Sequence, residues 1–171
     1  MPQYTGRDLA EIASELGLSQ DEAVARLLPA GAVYFSMHED DVRRILTYPP
    51  TMIGSDGLPH DSFPHPRLWA TFPRVLGHYA RDLGLLSLEA AVHKMTGLSA
   101  RTFGLRDRGE LREGAFADIT VFDPKQIAEG ADFTQPIAPA HGIDAVFVNG
   151  QLVWRDGRST GARPGQVLRR G

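Results

Sequence analysis

Apolar positions along residues 7–18 recur at helical spacing, with Leu9, Ile12, Ala13 and Leu16 on one face. Gly17 ends that run. Ser19 and Glu22 then stand in capping-box spacing, and Val24, Leu27 and Leu28 carry the face of a second helix. Pro29 and Gly31 break it. Ala32-Val33-Tyr34-Phe35 is a short β-rich run and predicts a strand. Ser36 and Glu39 form another capping-box pattern. Glu39, Asp40 and Asp41 fill the first turn of a third helix and Arg43 and Arg44 follow, as the helix dipole favours. Val42, Ile45 and Leu46 are its apolar face, and Pro49-Pro50 ends it. Thr51-Met52-Ile53 predicts a second strand. The first half therefore alternates helix and strand, the pattern of an α/β protein.

A Pro-rich loop at 58–66 leads into a largely helical stretch that runs to about residue 103. It carries Phe72, Val75, Leu76 and Tyr79, then Leu88, Ala91, Val92 and Met95. Ser87 is the expected N-cap of its second part, and Gly97 the expected stop. The pattern changes between Gly104 and Gly109. Asp118-Ile119-Thr120-Val121-Phe122 reads as a strand, and Asn149-Gly150 between two apolar runs is a strong hairpin signal. A domain boundary is expected near residue 108, separating 1–108 from 109–171.

Composition narrows the function classes. The chain has 171 residues, 42% of them hydrophobic, enough for one core. Its net charge is −3 and its Lys and Arg are scattered apart from Arg169-Arg170, so nucleic-acid binding has no electrostatic footprint. It has no cysteine, which excludes disulfides and thiolate metal sites within it. No apolar stretch approaches the roughly 20 residues of a membrane span, and residues 1–5 lack a secretion-signal pattern. The expectation is a cytoplasmic protein with neither a nucleic-acid nor a membrane partner.

The candidate chemistry lies at Ile53-Gly54-Ser55-Asp56-Gly57, with His60-Asp61 and Pro64-His65-Pro66-Arg67 after it. A strand ending in a glycine-flanked carboxylate puts Asp56 at its C-terminal tip, the edge where α/β folds gather chemistry. Asp56 is a candidate metal ligand or general base. It could equally be a turn aspartate that bonds the next backbone amides. Arg67 could hold a carboxylate through two parallel hydrogen bonds, or be an ordinary loop arginine. His60 and His65 lack the i, i+4 spacing of a helical metal pair and could line a pocket or fix the loop. Asp61 is expected to brace that loop. His38 lies at a strand-to-helix junction, and His78, His93 and His141 carry no expected chemistry. Trp69 and Phe72 are expected in the core or a pocket wall. Gly54-Ser55-Asp56-Gly57 is not Gly-x-Ser-x-Gly, so a nucleophile elbow is excluded.

Ile-Gly-Ser-Asp-Gly-Leu-Pro-His-Asp at 53–61, followed by Pro-His-Pro-Arg-Leu-Trp at 64–69, resembles the N-acyl-D-amino-acid deacylases of the amidohydrolase superfamily. Gly114-Ala115-Phe116-Ala117-Asp118-Ile119 and the Val148-Asn149-Gly150 turn extend the likeness. The resemblance implies the C-terminal portion of a metal-dependent (β/α)8 barrel followed by part of a small β-sandwich domain. It implies zinc as cofactor and an N-acyl amino acid as substrate. Asp56 then takes a proton from the zinc-bound water and delivers it to the leaving amine, with at most a weak ligand role. Arg67 binds the substrate carboxylate, with Ser55, Gly57 and His60 beside it. The family's His-x-His and metal-ligating cysteine are absent, and a barrel takes roughly 250 residues. The isolated chain is therefore expected to bind zinc poorly and to show little activity. A missing N-terminal region or a partner chain would supply the rest.

Overall fold

A computed structural model describes residues 2–60 and 62–169. Helices α1 (Leu9–Leu16) and α2 (Gln20–Leu27) pack on each other. Ile12 and Ala13 on α1 are buried, as their spacing requires, whereas α2 buries Ala23 and leaves the expected face residues Val24 and Leu28 exposed. Gly17 closes α1 in the left-handed conformation at φ 67°. The Ser19 hydroxyl accepts from the Glu22 amide at 3.3 Å, and the Glu22 carboxylate accepts from the Ser19 amide at 2.9 Å. That reciprocal cap holds Glu22 below the usual carboxylate range, chiefly through the Ser19 amide.

The expected strand at Ala32-Val33-Tyr34-Phe35 is absent, and residues 28–38 form no helix or ladder. Helix α3 (Glu39–Thr47) is capped by His38, whose Nδ1 accepts from the Asp40 amide at 3.3 Å, and not by Ser36. Thr51-Met52-Ile53 likewise forms no strand. The reason is the same at both places. A β-run becomes a strand only when a neighbour completes its backbone bonds, and none of the described residues does so. The Ile53 amide donates instead to the Lys94 carbonyl at 3.1 Å.

Helix α4 (Arg67–Arg74) contains Pro73 and passes directly into a π-helical segment, Val75–Asp82. Pro73 supplies no N–H to the ladder and crowds the turn before it, so the regular α-helical bonding is interrupted ahead of that segment. Helix α5 (Leu88–Met95) starts at Ser87, whose hydroxyl accepts from the Ala90 amide at 3.1 Å. Gly97 does not stop the chain, because it opens α6 (Gly97–Phe103). Val75, Leu76, Tyr79, Ala80, Ala91 and Ile127 form the core. Gly77 lets the backbone at Ile127 and Ala128 lie against the π-helix. A Cβ there would stand 2.4 Å from the Ile127 carbonyl oxygen.

The C-terminal sheet is antiparallel, in the order β1 (Ile119–Phe122), β2 (Ile143–Val148), β3 (Gln151–Arg155), β4 (Arg158–Ser159). Ile119 pairs with Phe147, and Val148 with Gln151. The β2–β3 turn has Asn149 at φ 47° and Gly150 at φ 77°, as a two-residue hairpin of type I′ requires. Asp118 fixes it from below, accepting from the Asn149 amide at 2.8 Å and pairing with Arg108.

Candidate active site

The run 51–56 leads from the end of α3 toward the start of α4. Asp56 adopts φ 48°, a left-handed conformation that aspartate tolerates better than most side chains. The chain turns there between Gly54 and Gly57. The Gly57 amide donates to the Ser55 hydroxyl at 3.3 Å. A side chain at Gly57 would collide with Leu68, whose Cα lies 2.7 Å from the ideal Cβ position. The absence of one lets the first turn of α4 come against the loop.

That approach brings Arg67 onto Asp56. Arg67 Nη2 stands 2.8 Å from Asp56 Oδ2, and Nε donates to the Asp56 carbonyl oxygen at 2.8 Å. The Asp56 side chain is 82% exposed and that of Arg67 40%. The pair therefore sits at an open surface. His65 supports it from behind. Its Nδ1 accepts from the Arg67 amide at 3.0 Å, which requires the unprotonated nitrogen at that position. Burial, then the Arg67 charge, push the His65 pKa down, and Asp56 partly opposes them. Phe133, from the segment between β1 and β2, packs edge-on against His65 and also meets Phe35.

The other candidates are not bonded to this pair among the described residues. His60 is exposed in a turn, and among the described residues no hydrogen bond ties it to Asp56 or Arg67. Asp61 lies outside the described residues. His78 stacks edge-on with Tyr79, and His141 bridges to Ala128. Trp69 and Phe72 are 39% and 41% exposed, so neither belongs to the core. One residue escaped the sequence reading. Lys94 is buried, and its Nζ donates to the carbonyls of Tyr48, Pro49 and Thr51. The signal was a lysine on the same helical face as Ala91.

The family model described as the amidohydrolase family matches residues 5–154. The chain belongs to the amidohydrolase family. It is 60% identical over 169 residues to the D-aminoacylase of Alcaligenes xylosoxydans xylosoxydans, covering 99% of this chain and 35% of that protein. A solved D-aminoacylase described with a binuclear metal center superposes with a TM-score of 0.89 at 59% identity, over 95% of this chain and 34% of its own. The Bordetella bronchiseptica N-acyl-D-glutamate deacylase, complexed with zinc and a phosphonate inhibitor that mimics the reaction's tetrahedral intermediate, gives 0.89 at 50% identity, over 96% and 34%. This amidohydrolase chain thus spans about a third of the length of these relatives.

The described residues do not fit a metal site on their own. Among them no group of three or more His, Cys, Asp or Glu side chains could hold an ion. A catalytic zinc is ordinarily held by three protein ligands. Here Asp56 stands without such companions, and its carboxylate is engaged by Arg67. Among the described residues no helix is long and apolar enough to cross a membrane.

Proposed function

We propose that this chain is the C-terminal portion of a zinc-dependent hydrolase that cleaves N-acyl-D-amino acids to a carboxylate and a free D-amino acid. Residues 1–108 contribute the last strands and helices of a (β/α)8 barrel. Residues 109–171 contribute the C-terminal strands of a small β domain. The observation that carries this reading is the Asp56–Arg67 pair at an open loop, in a chain 60% identical to a D-aminoacylase.

Asp56 is the proton carrier. Its carboxylate is exposed enough to reach a reacting group, and its backbone is fixed by the Arg67 Nε–H. Arg67 receives the substrate α-carboxylate. Its Nε–H can stay on the Asp56 carbonyl while the rest of the guanidinium takes the substrate. Ser55, Gly57 and His60 form the adjoining wall. Asp56 is at most a weak metal ligand, and the zinc ligands come from polypeptide outside these 171 residues. The isolated chain then has little or no activity.

A second reading is favoured by the absence of a metal cluster among the described residues. In it the chain is a non-catalytic fragment, or a subunit that completes a barrel supplied by another polypeptide. The size of the native product separates the two. An immunoblot of source extract with an antibody to this segment should give a band far above 18.7 kDa on the first reading. A band at 18.7 kDa favours the second.

A further inference from the structure

Lys94 is the only charged side chain that is buried among the described residues, at 5% exposure. A buried ammonium is costly unless its donors are satisfied. Lysine has three donors, and here three carbonyl oxygens meet them: Tyr48 at 2.6 Å, Pro49 at 3.3 Å and Thr51 at 3.1 Å. The Lys94 main-chain carbonyl also accepts from the Ile53 amide at 3.1 Å. One residue of α5 thus holds positions 48, 49, 51 and 53, the beginning of the run that ends in Asp56. The carbonyl of Tyr48 lies at the C-terminal cap of α3, where a cation is favoured.

We propose that Lys94 is a positioning residue that sets the register of the 51–56 run and so places Asp56 against Arg67. The inference rests on the reading of Asp56 as the reacting carboxylate. The run has no strand neighbour among the described residues to fix it. A slip of one residue in an extended chain moves a side chain by about 3.3 Å and turns it to the opposite face. A displacement of about 1 Å can already cost a catalytic group some hundredfold in rate. Burial lowers the pKa of Lys94, and the three carbonyls remain partners for its donors.

The chain has no cysteine, which makes a chemical test specific. Lys94→Cys is alkylated in denaturant and refolded, once with bromoethylamine and once with a propyl halide. The two products have the same length and differ only in a terminal ammonium against a methyl group. Hydrogen exchange is then followed at the Ile53 amide and the Arg67 Nε–H, with the amides of β2 as reference. The ammonium product should match the wild-type chain at all three places. The propyl product should exchange about tenfold faster or more at Ile53 and Arg67, with β2 unchanged. Equal protection in both products overturns the proposal. So does an equal loss at β2, which would make Lys94 a general stabilising residue, and so does an unprotected Ile53 in the wild type. None of these outcomes depends on whether Asp56 is catalytic, which Asp56→Asn activity decides separately.

Discussion

Arg67 holds Asp56 at two points, Nη2 on Oδ2 and Nε on the carbonyl oxygen, each at 2.8 Å. One bond fixes the backbone and the other occupies the carboxylate. In the proposed function, a substrate carboxylate competes for the second without disturbing the first. Arg67→Met in the active enzyme should lose a charged hydrogen bond worth about 1.5–3 kcal/mol. That corresponds to a KM for N-acyl-D-amino acids raised about tenfold to a hundredfold. Steady-state kinetics on paired substrates with and without the α-carboxylate checks this. An equal loss on both would remove Arg67 from substrate binding.

His65 gives the loop a pH dependence. Its pKa lies below the ordinary 6.5, because of burial first and the Arg67 charge second. The unfolded chain therefore binds the proton more readily than the folded one. Stability from this group is fully present above about pH 6.5 and is lost as pH falls through the lowered folded value. Protonation also removes the Nδ1 acceptor of the Arg67 amide. Urea unfolding at pH 7.5 and pH 5 should show this loss in wild type and a smaller one in His65→Gln. Identical slopes would mean that His65 does not titrate in that window.

Gly57→Ala should be destabilising by about 1–3 kcal/mol, since its Cβ would stand 2.7 Å from the Leu68 Cα. The strain falls on the first turn of α4, so Arg67 should move off Asp56. Gly54→Ala is the control, because nothing lies within 4 Å of a Cβ there. Thermal melts of both variants test the contrast. Equal melting temperatures would show that the loop absorbs the methyl group.

Tyr34 and Phe35 are 80% and 77% exposed on a segment that forms no ladder among the described residues. Such edges and apolar patches recruit other chains. The isolated chain should self-associate at micromolar concentration, and Tyr34→Ser with Phe35→Ser should reduce it. Sedimentation velocity reads this directly. A wild-type chain that stays monomeric at high concentration would contradict it.

Local chemistry made part of this molecule legible from sequence. The Ser19–Glu22 box, the Gly17 cap, the Ser87 cap and the Asn149-Gly150 turn each depend on residues a few positions apart, and all are present. The sequence also suggested strands at 32–35 and 51–53, and neither formed. A strand is a relation between two segments, so a β-rich run without a partner stays extended and unpaired. Pro73 gave no warning of the π-helix after it, because a proline can kink a helix in several ways. At the site, Asp56 and Arg67 could be singled out by their residue types and by family likeness. Their contact could not, because it depends on Leu68 packing over Gly57. Lys94 was hidden for the same reason: its partners lie more than 40 positions away.

In the proposed function, this segment brings Asp56 and Arg67 to a zinc site held by other polypeptide. The direct test joins the N-terminal two thirds of the Alcaligenes D-aminoacylase, the part this chain does not cover, to these 171 residues. Zinc content and hydrolysis of N-acyl-D-amino acids are measured on the chimera, on its Asp56→Asn variant and on the isolated chain. Zinc should be present in both chimeras, hydrolysis in the first alone, and neither in the isolated chain. Hydrolysis by the Asp56→Asn chimera at the parent rate, or by the isolated 171 residues, would contradict it.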